Sequence, residues 1–372
     1  MKFVATQSII LKSLSLVLGG ATKTGDGSMV KIIANKEDGL ITLETKNTDL
    51  KIKSFFKSDI ENSGEICVEL VKLNEIVKKL DTSIEILFEV TNLTLLIKSG
   101  KSKFSVKGVV IANIPEVEEE HRNSFSIMSK KILSLIDKTK FAIFPDETRF
   151  NLNGILFEFK NEKNTSFLTT VSTDGHRLAF SKLEVENNEN FTFPRIIIPK
   201  KATMELRKIL DLTVDCDVEV KLLNKKIILS SSAFEFTSKL IDAEFPQYEN
   251  VIPRENTKTA TIQRKDLINL IERVSAIHAA SSENGLNLIF SKNLLTIAGQ
   301  NKNTGEANDE IVIETNFDES LSVNYNYVYL LEILSHISSD KVVINLKNEQ
   351  TPALIEDCNI ESYFYILMPM RF

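Results

Sequence analysis

Hydrophobic and polar positions along the chain switch repeatedly between helix-like spacing and strand-like alternation. In the helix-like stretches, apolar residues recur three and four positions apart, as do Ile132, Leu135 and Ile136. Between these stretches, apolar and polar residues alternate, as in Val218–Leu222, which is typical of half-buried antiparallel strands. The pattern therefore predicts an α+β protein. The predicted helices are Ser8–Leu18, Val71–Leu80, Ser129–Lys140, Pro199–Leu210, Arg264–Ala276 and Tyr325–Ile337.

The same order of elements occurs three times, with a period of about 120 residues that exceeds the roughly 20–50 residues of solenoid repeats. Each copy opens with a short strand and a helix, continues with a strand and a second helix, and closes with paired strands. We therefore predict three α+β domains of one topology, each with two helices on one face of an antiparallel sheet. The predicted domains are residues 1–121, 122–253 and 254–372, with the charged segments Glu116–Asn123 and Arg254–Lys258 as linkers.

An alternative is that the three units arise from convergent patterning and are not copies of one domain. Strand-rich domains placed side by side do offer sheet edges that can pair across their junctions. A curved assembly that closes on itself leaves no such edge unprotected.

The composition is that of an ordinary globular protein, with 42% hydrophobic and 26% charged residues in 372. No apolar run approaches the roughly 18 residues that span a bilayer, and no signal peptide is expected at the N-terminus. Cys67, Cys216 and Cys358 are far apart and form no C-x-x-C pair, which argues against a structural zinc site. The cysteine pattern favours a reducing compartment, so a cytoplasmic location is expected.

The net charge of −6 at first argues against a nucleic acid partner. The charges are, however, sorted by element: the six predicted helices carry more than twice as many basic as acidic residues, and the rest of the chain is net acidic. If the helices face one lumen, phosphates are attracted inside while the outer wall repels duplex DNA. The simpler alternative is that Lys and Arg are good helix formers on solvated faces.

The turn Asp174-Gly175-His176 is the feature that most suggests enzyme chemistry. The four histidines are scattered, and no H-E-x-x-H, G-x-S-x-G or phosphate-binding loop pattern occurs. We therefore predict no catalytic residue, no metal and no cofactor. Two alternatives stay open, a nuclease or hydrolase on tandem α+β domains and a scaffold that binds peptides but never DNA.

Three motifs, in this order and with the three repeats, carry a resemblance that covers the whole chain. They are Ser172–Ala179 (STDGHRLA), Phe245–Pro253 (FPQYENVIP) and the terminus Met368–Phe372 (MPMRF). Each motif alone is weakly specific, whereas the set is highly specific. The chain resembles the beta subunit of bacterial DNA polymerase III, the beta sliding clamp family.

The resemblance implies a head-to-tail homodimer of six domains whose helices line a central hole around duplex DNA, without sequence preference. It also implies protein partners, namely the replicative polymerase, the clamp loader, repair polymerases and ligase, and no membrane. These partners dock short peptides containing Leu and Phe into a cleft on the middle and last domains. The matching cleft residues here are Leu152, Thr173, Gly175, His176, Arg177, Leu178, Pro246, Val251, Ile366, Met368, Pro369, Met370 and Arg371.

The residue types of this cleft suit peptide binding. Met368 and Met370 are unbranched and polarizable, so they can repack around different Leu and Phe side chains. Pro246 and Pro369 fix the backbone and lower the ordering cost of the pocket. Arg177 and Arg371 are expected to hold the polar part of the peptide.

The resemblance also implies two further surfaces. The expected dimer contact brings Phe104 and Val106 of one subunit against Ile277 of the other, although these residues could equally be ordinary core. The chain departs from the family at Asn250 and Ala21, where basic residues are common. The expected DNA-facing residues are Lys12, Lys72, Lys78, Lys79, Lys138, Arg149, Lys200, Lys201 and Arg207.

Overall fold

The structure is a computed structural model that describes residues 1–22, 26–110, 123–162, 165–185, 194–278, 284–301 and 305–370. Residues 1–107 open with a strand and a helix. Five strands follow, of which the fourth is short, and then a second helix. Three strands close the segment. The elements are β1 Lys2–Ala5, α1 Gln7–Val17, β2 Met29–Asn35, β3 Leu40–Lys46, β4 Leu50–Lys57, β5 Asp59–Asn62, β6 Gly64–Glu69, α2 Leu70–Lys78, β7 Ile86–Thr91, β8 Thr94–Ser99 and β9 Ser102–Lys107.

Residues 123–239 repeat this order. The short strand that precedes β6 in the first copy has no counterpart in the described residues of this one. The elements are β10 Asn123–Met128, α3 Ser129–Thr139, β11 Gly154–Glu162, β12 Thr165–Thr173, β13 Arg177–Val185, β14 Ile196–Pro199, α4 Lys200–Leu212, β15 Asp217–Leu222, β16 Lys226–Ser230 and β17 Phe234–Lys239.

Residues 258–367 repeat it again. This copy again has a short extra strand, before the strand that leads into its second helix. The elements are β18 Lys258–Gln263, α5 Arg264–Ser275, β19 Gly285–Ser291, β20 Leu294–Asn301, β21 Gly305–Val312, β22 Glu314–Thr315, β23 Leu321–Asn326, α6 Tyr327–His336, β24 Lys341–Leu346, β25 Ala353–Asp357 and β26 Tyr363–Leu367.

The predicted helices and the triple repeat are confirmed, with helix bounds shifted by one or two residues. The first helix of each copy runs into a 3-10 turn, at Leu18–Gly20, Lys140–Ala142 and Ala276–His278. Such turns are common at helix ends because they tighten the last turn around unpaired carbonyls. The linker predicted at Arg254–Lys258 is one residue too long, since Lys258 begins β18. Most of Glu116–Asn123 lies outside the described residues.

Burial follows the sequence periodicity. In β3, every second residue is buried, beginning with Ile41 and Leu43. In α3, Ile132, Leu135 and Ile136 are at most 2% exposed, as their spacing predicts. The apolar faces of helices and sheets thus pack on each other, and the hydrophobic effect on these faces holds the fold.

Two strand pairings recur in all three copies. The first strand pairs antiparallel with the strand after the second helix, giving β1–β7, β10–β15 and β18–β24. The strand after the first helix pairs with the strand before the second helix, giving β2–β6, β11–β14 and β19–β23. Each copy is therefore built from two similar halves.

The described chain divides into two compact units. The first unit, residues 1–133, 188–193 and 201–241, holds a five-stranded sheet in the order β5-β1-β7-β8-β9 and an eight-stranded sheet in the order β10-β15-β16-β17-β4-β3-β2-β6. The second unit, residues 134–187, 194–200 and 242–372, holds a nine-stranded sheet in the order β14-β11-β12-β13-β26-β25-β24-β18-β22 and a four-stranded sheet in the order β21-β20-β19-β23.

Each unit contains a sheet that joins strands of two successive copies. In the first unit β17 pairs with β4, with Phe236 opposite Ile52. In the second unit β26 pairs with β13, with Ile366 opposite Leu178. Sheet edges thus pair across the copy junctions, and the pairing of β26 with β13 brings the first and third motifs of the sequence next to each other.

Candidate peptide-binding site

The first part of the candidate site is the tight turn between β12 and β13. Gly175 has a φ of +89°, a backbone conformation that side chains with a Cβ rarely adopt. The Thr173 hydroxyl accepts from the Gly175 N–H at 3.1 Å and donates to the Arg177 carbonyl at 2.7 Å. The Asp174 carboxylate accepts from the backbone N–H groups of His176 and Arg177 at 2.9 and 3.0 Å. Side chains thus fix the turn that carries His176.

Arg177 is buried, and each of the three nitrogens of its guanidinium has a partner within the protein. Nε lies 3.0 Å from Asp174 Oδ2, Nη1 lies 2.6 Å from Glu332 Oε2, and Nη2 donates to the Phe141 carbonyl at 2.9 Å. Its guanidinium carbon also lies 4.3 Å from the centroid of the Tyr329 ring. Burial, followed by the nearby Asp174 carboxylate, raises the pKa of Tyr329. These contacts indicate that Arg177 stabilises the turn.

The second part of the site is β26 and the chain that follows it. Pairing with β13 sets Ile366 beside Leu178. The Met368 N–H donates to the His176 carbonyl at 2.9 Å, and the Met370 N–H donates to the Asn324 carbonyl at 2.8 Å. The Met368, Pro369 and Met370 side chains are each partly exposed. The two methionines therefore offer apolar surface next to the turn, as expected of a site that adapts to several peptides.

The third part is the Phe245–Val251 loop, in which Phe245 is buried whereas Pro246 and Val251 are exposed, Val251 by 37%. Leu152, 7% exposed, ends a 3-10 helix whose neighbouring residue Asn151 donates its side-chain amide to the Glu244 carbonyl at 3.5 Å. Asn250, one of the two positions where the chain departs from the family, also lies on this loop. It is exposed, and its side-chain amide donates to the Gln247 side chain at 3.3 Å.

The structure thus brings the predicted turn residues and the predicted C-terminal residues together through sheet pairing. Leu152, Leu178 and Ile366 are buried, and Leu178 and Ile366 are neighbours in the sheet. Arg371 lies outside the described residues. Sequence reasoning did not assign Phe141, Asn324, Tyr329 or Glu332 to this site, because their link to the motifs exists only through packing between distant segments.

The basic residues expected to face DNA fall into two groups in the structure. Most are on helices and exposed, and several of these have acidic neighbours on the same helix or next to it. Lys72 lies 3.5 Å from Glu69 and Lys78 lies 3.1 Å from Glu75, and such exposed pairs leave the ammonium accessible to a phosphate. The exposed members are Lys12, Lys72, Lys78, Lys79, Arg149 and Lys201.

The other three are partly buried. Lys138 donates to the Ser338 hydroxyl at 2.7 Å and lies 3.9 Å from the Tyr363 ring centroid, and burial lowers its pKa. Lys200 donates to the Pro145 carbonyl at 3.1 Å, and Arg207 lies 3.7 Å from Asp211. The contacts of Lys138 and Lys200 hold these ammonium groups within the protein, while their role toward DNA stays a prediction.

The residues expected at the dimer contact differ in burial. Phe104 is 36% exposed on β9, whereas Val106 on the same strand is 5% exposed. Ile277 is partly buried in the 3-10 turn after α5. Phe104 therefore has free apolar surface, and Val106 packs within its own domain.

Three features of the described residues bear on other chemistry. No helix there is long and apolar enough to cross a membrane. No group of three or more His, Cys, Asp and Glu side chains in those residues could hold a metal ion. Cys67, Cys216 and Cys358 form no disulfide bond within the described residues.

Comparison with known proteins matches all three copies to one family. Residues 1–118 match the N-terminal domain of the DNA polymerase III beta subunit, residues 126–247 its central domain and residues 249–371 its C-terminal domain. The beta sliding clamp of Pseudomonas aeruginosa is 32% identical over 375 residues, covering 100% of both chains. That of Vibrio cholerae is 27% identical over 379 residues, covering 100% of both chains.

Solved structures agree with this match over the whole chain. A sliding clamp from Bartonella birtlesii, crystallised with griselimycin, has a TM-score of 0.92 and 33% identity, with 100% of both chains covered. The DNA polymerase III beta subunit of Pseudomonas aeruginosa has a TM-score of 0.91 and 31% identity at the same coverage. The chain therefore belongs to the DNA polymerase III beta subunit family, the beta sliding clamps, which are non-catalytic processivity subunits in DNA replication.

Proposed function

We propose that two copies of this chain close head to tail into a ring that encircles duplex DNA and tethers polymerases and other replication proteins to it. The domain bounds that we propose are those expected from the sequence, residues 1–121, 122–253 and 254–372. Because the family is non-catalytic, the nuclease or hydrolase alternative is set aside. A cytoplasmic location is part of the proposal.

The observation that carries ring closure is the repeated pairing between copies. The last strand of the second copy, β17, pairs with β4, which is the third strand after α1 in the first copy. The last strand of the third copy, β26, pairs with β13, which holds the same place in the second copy. By this rule β9 should pair with β21, and we propose that it does so with β21 of a second subunit.

The two strands are suited to this contact. Both are edge strands, β9 of the five-stranded sheet and β21 of the four-stranded sheet. An exposed edge of this kind is a template for pairing with another chain. Lys103 and Lys107 on β9 face solvent, as do Glu306 and Glu310 on β21, so the two edges have opposite charge. Two such heterologous contacts, with the right rotation, close a ring of two subunits.

DNA binding in this proposal is electrostatic and independent of sequence. Mobile Lys and Arg side chains of the helices contact phosphates, and phosphate contacts carry no base information, so the ring can slide. Release from DNA then requires the opening of a subunit contact. The partners named by the resemblance dock Leu/Phe-containing peptides on the site at residues 173–178, 246–251 and 366–371. Tethering raises their effective concentration at the primer end.

The test is retention on DNA of different topology. The labelled protein is loaded by a clamp loader on nicked circular DNA, free protein is removed, and half of the sample is linearised with a restriction enzyme. We expect protein to stay on the circle and to be lost from the linear form, because a ring slides off a free end. Equal retention on both forms would refute encirclement and would favour a peptide scaffold or a direct DNA binder.

A further inference from the structure

The Phe245–Val251 loop, which carries Pro246 and Val251 of the proposed peptide site, is anchored by charged and polar side chains around the buried residues Tyr248 and Glu158. Residues 242–247 belong to no helix or strand, and Tyr248–Val251 form a short 3-10 helix, so side-chain contacts with neighbouring segments hold the loop in position. The main anchor is Tyr248, which is 2% exposed. Its hydroxyl donates to the Glu158 carboxylate on β11, and Glu158 is itself 4% exposed.

Two cations complete the cluster and balance the Glu158 charge. Lys160 Nζ lies 3.2 Å from Glu158 Oε1, and it donates to the Tyr248 hydroxyl at 2.6 Å and to Glu249 at 2.8 Å. Arg195 Nε lies 3.4 Å from the second Glu158 oxygen, and its Nη2 donates to the Pro246 carbonyl at 3.4 Å. A buried carboxylate is stable only when it is paired and hydrogen-bonded in this way.

The Tyr248 ring links this cluster to the opposite side of the site. It packs against Phe180 on β13 with a centroid distance of 6.1 Å, and Phe180 stacks on Phe364 of β26 at 4.5 Å. These two strands carry Leu178 and Ile366, and Met368 follows β26 directly. Tyr248 therefore contacts Glu158 on one side and Phe180 of β13 on the other, and Phe180 in turn stacks on β26. Burial, and then the bond to Glu158, raise the pKa of Tyr248, so the hydroxyl keeps its proton at any physiological pH.

We propose that Tyr248 is a positioning residue for peptide binding: its hydroxyl, held by Glu158, fixes the Phe245–Val251 loop at a set distance from Leu178 and Met368. The proposal rests on the proposed function of this site. Tyr248 contacts no peptide itself. A Phe245–Val251 loop that is already in place lowers the conformational entropy lost on binding. Loss of the Tyr248 hydrogen bond therefore weakens peptide affinity without removing any contact to the peptide.

The experiment compares Tyr248→Phe with Tyr363→Phe. Both changes remove a tyrosine hydroxyl that donates to a carboxylate, but the partner of Tyr363 is Asp357, outside the Phe245–Val251 loop. Binding of a fluorescently labelled synthetic peptide with an adjacent Leu-Phe pair is measured by anisotropy. Titration at high protein concentration gives the fraction of active sites separately from the Kd.

We expect Tyr248→Phe to raise the Kd about fivefold, because a hydrogen bond to a charged group is lost and about one kcal/mol corresponds to that factor. The dissociation rate should rise and the active fraction should stay at the wild-type value. A second readout is selectivity, the ratio of the Kd values of the peptide and of its Leu→Phe variant. This ratio should be closer to one when the Phe245–Val251 loop is held less firmly. Tyr363→Phe should bind like the wild type in both assays.

Two further variants protect the test against misfolding. Glu158→Gln keeps an acceptor for the Tyr248 hydroxyl and should weaken binding less than Tyr248→Phe. Arg195 is 41% exposed, so Arg195→Met should fold and should weaken binding by loosening Pro246. If the wild type does not bind the peptide, the proposed function of the site fails. If it binds and the Tyr248→Phe and Arg195→Met variants bind equally well, the positioning role is overturned.

Discussion

Arg177 and Glu332 are joined by an ion pair of 2.6 Å between Nη1 and Oε2, although they are 155 residues apart in the chain. The pair ties the β12–β13 turn of the second copy to α6 of the third. Asp174, 7% exposed, shares the same guanidinium. The side chain expected from the resemblance to hold a bound peptide is thus committed to contacts within the protein.

Removal of Arg177 should therefore lower stability. Arg177→Met leaves the buried Asp174 carboxylate without its cation, a loss of about 3 to 5 kcal/mol in the free energy of unfolding. Urea denaturation monitored by circular dichroism measures this change. Glu332→Gln is the matched control, since Glu332 is 44% exposed and its loss should cost no more than about 1 kcal/mol. An Arg177→Met protein that unfolds like the wild type but no longer binds peptide would assign the guanidinium to the peptide instead.

Deletion of Met368–Phe372 should abolish peptide binding while the subunits still associate. The deletion removes the two methionines that offer apolar surface beside the turn, and it leaves β9 and β21 in place. Anisotropy with the labelled Leu-Phe peptide and sedimentation velocity check the two halves of this prediction. A shorter deletion of residues 371–372 tests Arg371 by itself. Unchanged peptide affinity in the longer deletion would show that the site is misassigned.

Replacement of exposed lysines on the helices or directly at a helix end should weaken DNA binding in a salt-dependent way. The triple variant of Lys12, Lys72 and Lys79 to Ala removes charges that we propose face phosphates. The slope of log affinity against log salt should become less steep by about 0.9 for each lost phosphate contact, measured on a short labelled duplex. The same substitution at Lys36, Lys292 and Lys347, which are exposed outside the helices, should leave the slope unchanged. Equal slopes for both variants would favour the peptide scaffold.

Substitution of Phe104 should affect subunit association, whereas substitution of Val106 should affect the stability of the fold. Phe104→Ala removes exposed apolar surface on the edge strand β9, so sedimentation equilibrium should show a shift from dimer to monomer with a wild-type circular dichroism spectrum. Val106→Ala removes buried methyl groups and should cost roughly 1 to 3 kcal/mol of stability. A Phe104→Ala protein that dimerises like the wild type would contradict the proposed β9–β21 contact.

Acid should destabilise the protein through His336. Burial, and then the nearby Lys140 and Lys138, lower the pKa of His336 from 6.5 to about 4. The unfolded chain therefore binds a proton below pH 6.5 that the folded chain does not bind until about pH 4, so stability is complete above pH 6.5 and falls with pH across this window. The loss is on the order of 1 kcal/mol after allowance for solvent screening.

His336→Phe should remove this acid sensitivity. The Phe ring can keep the stacking on Phe141, where the ring centroids are 4.4 Å apart. Melting temperatures at pH 7 and pH 5 should differ less in the variant than in the wild type. Asp357 titrates in a lower window: burial opposes its charge, but hydrogen bonds from Ser339 and Tyr363 outweigh this and lower its pKa, so its stabilising contribution is complete above pH 3.8 and is lost as the pH falls below that value. An equal acid effect in both proteins would assign the loss to other groups.

The sequence alone determined the order of helices and strands, the triple repeat and the three motifs of the site. These follow from local rules: helical spacing buried Ile132, Leu135 and Ile136, and alternation buried Ile41 and Leu43. The same periodic pattern, repeated three times, forms the same fold three times. The number of domain copies therefore follows from the sequence without knowledge of any tertiary contact.

Only the tertiary structure decided which distant residues meet. Periodicity says which face of an element is buried, but it does not name the element packed on that face. The pairing of β26 with β13 set Met368 beside His176, and packing of α6 placed Glu332 on Arg177. It also distinguished Phe104, which is exposed, from Val106, which is buried, because alternation assigns both residues to one face of β9 but does not say what packs along that face.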